Sequence, residues 1–280
     1  MNINKFSEQG YIILRKAISK KLIERINESI LKKKIFSTSN SYNEFLKILN
    51  KNKKNNYEFL KPLNHTLFSK GLIEDLLLEK KIYSLLTHLI GRDLSYINDN
   101  VLTINLPNKI NSKENYFFKD WHQEIWSGTN VSTIQFWTPL LQKNKNSGQI
   151  KIIKDSHKWG HVPHQNRKPL ILPEKIKVIE TDLNVGDVII FASTLLHKSA
   201  ITKHPRLALP ILIKNFKYKN YSFEDNRNWK IFSYSETTKL ERILGNHHLS
   251  PFRLLNMNDQ LYEGTLKKNN IKNKKKLSKN

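Results

Sequence analysis

Three side chains with the chemistry of metal ligands set the first question: His122 and Glu124, two apart in Trp121-His122-Gln123-Glu124, and a distant His197. Two imidazoles and a carboxylate suit ferrous iron that must react with oxygen, because three protein ligands leave half of the coordination sphere open. The i, i+2 spacing predicts an extended strand. Alternate side chains then share a face, so His122 and Glu124 project together while Gln123 turns away. The third ligand must come from elsewhere in the fold. His197 follows Asp187-Val188-Ile189-Ile190-Phe191, which reads as a buried strand entered through the turn Gly186-Asp187. Beyond it, Arg206 opens the apolar run Leu207-Ala208-Leu209-Pro210-Ile211-Leu212-Ile213. A guanidinium in such a strand needs an anion, and its shape suits a carboxylate held by two parallel hydrogen bonds. A 2-oxo acid that chelates the metal through its keto and carboxylate oxygens would present its far carboxylate to Arg206.

The elements that must position these groups follow from the apolar pattern. Tyr11 to Leu14 reads as a short strand. Ser19 then caps a helix with Leu22, Ile23, Ile26 and Ile30 on one face. The segment from about Thr38 to Asn56, rich in Lys, Asn and Ser, predicts a short helix with mobile flanks. Leu72 to Ile90 predicts one continuous helix, apolar at Ile73, Leu76, Leu77, Ile82, Leu85, Leu86 and Leu89 and capped by Gly91. From Leu94 to Phe216 the pattern changes to short apolar runs broken by turns, the signature of strands. A further helix is predicted from Glu236 to Leu244. The expected organisation is one domain over 1–262: a helical part over about 1–92, a strand-built core over about 93–216 and a C-terminal cover over about 217–262. The Lys- and Asn-rich stretch 263–280 is expected to be a disordered tail.

Most of the chain resembles the phytanoyl-CoA dioxygenase family of iron(II)- and 2-oxoglutarate-dependent oxygenases. The segments that carry the resemblance are Phe6-Ser7-Glu8-Gln9-Gly10-Tyr11-Ile12-Ile13-Leu14 and Trp121-His122-Gln123-Glu124. Phe136-Trp137-Thr138-Pro139-Leu140, Ser147-Gly148-Gln149-Ile150 and Asp155-Ser156-His157-Lys158-Trp159-Gly160 follow in the family's order. Gly186-Asp187, His197-Lys198-Ser199 and Pro205-Arg206 complete the set. The resemblance implies an all-β core with flanking helices, a double-stranded β-helix or cupin-like jelly-roll with iron at its mouth. It implies that His122, Glu124 and His197 bind Fe(II), that Arg206 and Ser199 hold the distal carboxylate of 2-oxoglutarate, and that Trp137 lines the co-substrate pocket. O2 is the second co-substrate, and the implied reaction is hydroxylation of an unactivated C–H bond with release of succinate and CO2. Halogenating enzymes of this fold replace the acid with a small residue to make room for a halide, so Glu124 points to hydroxylation. The chain departs from the family at Glu124, where Asp is usual, and at Asp155, where Gly is usual; the second departure suggests a different turn.

Composition bounds the alternatives. The net charge is +24, but 40 of the 48 basic residues are Lys and only 8 are Arg, and Asn is nearly as abundant at 32. Lys and Asn share A-rich codons, so the excess reads as codon usage on a solvated surface. A specific nucleic-acid reader would use Arg and interleaved aromatics. Such a surface can still favour an anionic small-molecule substrate by general attraction. The chain has no Cys, which leaves His and carboxylates as metal ligands. No run is long and apolar enough for a membrane span, and a cytoplasmic protein is expected. His157, His161 and His164 would cluster on a helix and suit zinc, but Gly160 and Pro163 oppose a helix there. Two rival classes are a jelly-roll binding module without turnover and a Lys-rich nucleic-acid-binding protein.

Overall fold

A computed structural model describes residues 3–32, 38–51, 56–97, 102–107, 120–144, 147, 149–218 and 228–244. Residues 1–233 form one compact unit and 234–280 a second. The first opens with helix α1 (Ile3–Gln9), strand β1 (Tyr11–Leu14) and α2 (Lys20–Leu31), followed by α3 (Thr38–Lys51), α4 (Asn56–Ser69), α5 (Leu72–Leu77) and α6 (Lys80–Ile90). Strands then dominate: β2 (Leu94–Ile97), β3 (Thr103–Asn105), β4 (Ile134–Leu141), β5 (Ile150–Ile153), β6 (His164–Gln165), β7 (Lys168–Pro169), β8 (Val178–Glu180), β9 (Val188–Ala192), β10 (His197–Ser199), β11 (Arg206–Asn215) and β12 (Trp229–Ser233). The described part of the second unit holds α7 (Glu236–Ile243), capped by Ser235 Oγ, which accepts from Thr238 N. No helix among the described residues is long and apolar enough to cross a membrane.

The strands make two main sheets, as a jelly-roll requires. The larger runs β1-β9-β4-β11-β2-β12, with β3 also on β11, and the smaller runs β10-β5-β8; β6 and β7 form a separate hairpin. All pairings are antiparallel. Both faces of the large sheet are covered, which is why its strands read as unbroken apolar runs instead of alternating ones. One face packs with the helices: Val188 and Ile190 of β9, Leu207, Leu209, Ile211 and Ile213 of β11, and Ile134 and Phe136 of β4 share a core with Leu22, Ile26, Leu76 and Leu85. The other face looks into the sandwich. Ile189 and Phe191 of β9, Trp137 of β4 and Ala208 of β11 meet Ile150 and Ile152 of β5 there.

Two helical expectations are corrected. Leu72 to Ile90 is two helices, because Glu79 leaves the helical path (φ −53, ψ 130) and its Oε1 accepts a hydrogen bond from Ser19 N, at the start of α2. The apolar phase continues across the break, so the sequence pattern does not register it. The expected cap at Gly91 is present, its N–H donating to Thr87 O. Helix α3 is longer than expected, at 14 residues. Helix α4 was not anticipated; it holds Pro62 inside it, and Leu60, Leu63 and Leu67 are buried along one side. The region read as a cover contributes β12, which pairs with β2; 219–227 and 245–280, including the expected tail, lie outside the described residues.

Gly10 joins α1 to the sheet at φ +76, where an added Cβ would lie 2.4 Å from His157 Cγ; Gly71 has φ +65 with nothing within 4 Å of its Cβ position. Both Gly→Ala changes should cost about 1–2 kcal/mol for the left-handed backbone. Gly10→Ala should cost clearly more, because His157 must move. Urea denaturation of the two variants checks this, and equal midpoints would show that His157 yields freely.

Candidate metal centre and carboxylate pocket

His122 and His197 face each other across an isolated antiparallel bridge. His122 N donates to His197 O at 3.0 Å and His197 N to His122 O at 3.1 Å. This double bond pair adds residue 122 to the free edge of β10 and brings the two imidazoles to a centroid separation of 4.1 Å. The predicted strand through His122 and Glu124 is not formed. Gln123 alone is extended (φ −112, ψ 145), and Glu124 opens a 3-10 turn over Glu124–Ser127. One extended residue is sufficient to put Glu124 on the side of His122. The turn is needed because Ile125 N must reach Ser193 O and Gly128 N returns to Ile125 O.

The ligand atoms converge. His122 Nε2 and His197 Nε2 each lie 3.4 Å from Glu124 Oε1, and one donor atom from each of the three residues falls within 4.8 Å of the others. All three residues are buried. The imidazoles are held by the same device: Nδ1 of His122 sits 2.7 Å from Asp120 O, and Nδ1 of His197 2.9 Å from Leu195 O. Because a carbonyl only accepts, each Nδ1 carries the proton and each Nε2 offers a lone pair to the centre. Adjacent ligands at right angles around an ion with bonds of roughly 2.1 Å lie about 3 Å apart, so the donor set fits a divalent ion after small side-chain adjustment. His157, His161 and His164 make no such group among the described residues; His157 Nε2 bonds to Ser7 O at 2.9 Å, on α1. Asp155 adopts the left-handed conformation (φ 61, ψ 2), so the turn before Ser156 forms with Asp in the conformation that favours glycine.

Gln123, the residue between the ligands, was expected only to turn away, and it does so into a latch. Its Nε2 donates to Gly160 O and Thr194 O, and its Oε1 accepts from Val162 N. Trp126 Nε1 donates to Val162 O, and Ile125, Trp126, Val162, Leu196 and Ile153 form an apolar cluster beside the motif. On the outer side, Lys198 Nζ lies 4.6 Å over the Trp121 ring and 3.8 Å from Asp120.

Arg206 is 3% exposed at the start of β11, on the face that also carries Ala208. Its guanidinium lies 4.8 Å over the Trp137 ring. Nε and Nη1 are buried with no hydrogen-bond partner among the described residues. Burial pushes the Arg206 pKa down, to about 9, and the group stays cationic at neutral pH. An anion is what these two donors lack. Ser199 is half-buried on β10, two residues beyond His197 and on the same face. The structure therefore brings the triad together and places Arg206 against Trp137.

The sequence profile of phytanoyl-CoA dioxygenase (PhyH) matches residues 6–208. The chain belongs to the phytanoyl-CoA dioxygenase family. It is accordingly a 2-oxoglutarate-dependent dioxygenase-like enzyme whose cofactor is iron and whose co-substrates are 2-oxoglutarate and O2. Solved structures share the fold at low identity. The apo form of the non-heme monooxygenase ThoJ is 16% identical with a TM-score of 0.57, and its nickel complex is 13% identical with a TM-score of 0.52; in both, 84% of each chain is covered. The epimerase SnoN in complex with Fe3+, alpha ketoglutarate and nogalamycin RO is 12% identical over 76% of this chain and 81% of that one, with a TM-score of 0.49.

The latch gives this dioxygenase family member a testable dependence on a residue that touches no ligand. Gln123→Leu should orphan the buried Val162 N–H, costing about 1–3 kcal/mol, while the part-buried Gly160 and Thr194 carbonyls turn to water. It should also lower divalent-metal affinity by about 10–100-fold, as loss of an outer support does. Calorimetric titration with Mn2+ and urea denaturation measure the two effects, and full metal affinity in the variant would show that Gln123 serves the fold only.

Proposed function

We propose that His122, Glu124 and His197 are the iron ligands, that Arg206 with Ser199 takes the distal carboxylate of 2-oxoglutarate, and that Trp137 forms the pocket wall behind it. The observation that carries this reading is the pairing of a converged two-histidine, one-carboxylate set, built on the small sheet, with a buried guanidinium on the large sheet whose donors are unmet. When bound, iron(II) with 2-oxoglutarate and O2 supplies the oxidising power to hydroxylate an unactivated C–H bond, with release of succinate and CO2.

The chain's own residues do the positioning. Carbonyls of Asp120 and Leu195 fix the histidine tautomers, so both lone pairs face inward before any ligand arrives. Glu124 brings one negative charge to the centre and occupies the place that a halide would need, which favours hydroxylation. Arg206, already desolvated, gives up little hydration when it takes a carboxylate, and the flat Trp137 ring restricts the approach to one direction. The Ile125, Trp126, Val162 and Leu196 cluster keeps water from one side of the reacting centre. The substrate is a small molecule acting in the cytoplasm, and the Lys-rich surface favours one with negative charge.

Anaerobic addition of iron(II) and 2-oxoglutarate should give the weak charge-transfer absorbance of the chelate, and admission of air should release succinate slowly even without prime substrate. His122→Ala and His197→Ala should each abolish both signals. Arg206→Met should leave metal binding intact and weaken 2-oxoglutarate by on the order of 100-fold, the scale of a lost charge-assisted pair. Undiminished succinate release from either His variant would sink the assignment.

A further inference from the structure

The cross-strand register orders the residues that line the interior between the triad and Arg206. Tyr11 of β1, Phe191 of β9, Gln135 of β4 and Leu212 of β11 form one row. Ile13, Ile189, Trp137 and Pro210 form the next. Phe191 marks the end near the metal centre, since its ring lies 4.6 Å from that of His197. Trp137 marks the other end, since it carries the Arg206 guanidinium. Gln135 is two residues before Trp137 on the same face, while its neighbours Ile134 and Phe136 pack with the helices. It therefore belongs to the wall along which a molecule joining the metal centre to Arg206 must lie.

Gln135 is 4% exposed, and its Oε1 is buried with no hydrogen-bond partner among the described residues. Gln142 Oε1 is likewise without a partner, but Gln123, Gln142 and Gln149 each donate from Nε2 to a backbone carbonyl. A buried amide oxygen without a partner is costly, and here it stands in a row otherwise made of Phe191, Leu212 and the half-buried Tyr11. We propose that the Gln135 carboxamide is a second polar contact for 2-oxoglutarate, donating from Nε2 to the oxygens at the metal-binding end while Arg206 takes the far end. This rests on the site assignment proposed above. The co-substrate is a dianion that only accepts hydrogen bonds, so the amide turns its N–H inward; oxygen and nitrogen exchange places by a half-turn of the terminal torsion. The role is one of positioning: two fixed contacts at opposite ends set the rotation of the co-substrate about its long axis, which Arg206 alone leaves free.

The test is the affinity of the iron(II)-loaded full chain for 2-oxoglutarate, read anaerobically from the charge-transfer absorbance, with metal affinity measured separately by calorimetry. Gln135→Met keeps the length and bulk of the side chain and removes its donors. It should weaken 2-oxoglutarate by about tenfold or more, as loss of a hydrogen bond to a charged group does, with metal affinity and thermal midpoint unchanged. Gln135→Glu should weaken it further, because a carboxylate there repels the dianion. Unchanged 2-oxoglutarate affinity in Gln135→Met, with Arg206→Met impaired, overturns this contact alone. Unchanged affinity in both variants overturns the site assignment with it.

Discussion

The site depends on one rung of antiparallel backbone between His122 and His197. A pair of residues that exchange both N–H···O bonds holds its Cα atoms about 5.5 Å apart with side chains on a common face, and here those side chains are imidazoles. Every other feature of the centre follows from that rung. It fixes the spacing of the two imidazoles without asking either loop to be rigid by itself, and it leaves the carboxylate of Glu124 to be delivered by a single extended residue and a 3-10 turn. The carbonyls two residues before each histidine then set the tautomers. The same backbone trace therefore supplies spacing, orientation and protonation state.

The rung is held from behind by the large sheet. Asp187 accepts from Lys16 N, Asn184 N and Arg15, tying the turn before β9 to the end of β1. Thr138 of β4 donates to Asp187 O. Strand β9 ends at Ala192, and Ser193 and Thr194, immediately after it, bond to the His122 side of the centre through Ile125 N and Gln123 Nε2. Hydrogen bonds at the two ends of β9 thus join the turn after β1 to the segment that carries His122 and Glu124.

The residue types of the centre were legible in the sequence because ligand chemistry admits few alternatives. His122, Glu124 and His197 are brought together as read, and Arg206 begins a buried strand as read. What was not legible is geometry that no local pattern encodes. Glu124 leaves strand geometry because Ile125 must meet Ser193, about seventy residues further on. The break at Glu79 exists because Ser19 needs an acceptor there, while the apolar phase from Ile73 to Leu86 runs through it undisturbed. No helix was read over Asn56–Ser69, where Pro62 is a local breaker and the burial of Leu60, Leu63 and Leu67 is set by tertiary contact. Gln123 and Gln135 could not be told from surface glutamines by type alone. Their partners, or the lack of them, are matters of register.

Arg206 shows why stability and function pull apart at this site. A guanidinium placed in an apolar interior is costly, and a buried charge deprived of its partner typically loses roughly 3–5 kcal/mol. The fold compensates in part by laying the group on the Trp137 ring, which is attractive toward cations but makes no hydrogen bond to Nε or Nη1. A Met or Leu at position 206 would suit the face that carries Ala208 better, and stability alone would favour it. An Arg in such surroundings needs an anion, and in the proposed assignment a dicarboxylate held at the triad would deliver its second charge to that place. On that assignment the energy withheld from folding would become available to co-substrate binding, which would favour a molecule long enough to satisfy both ends at once.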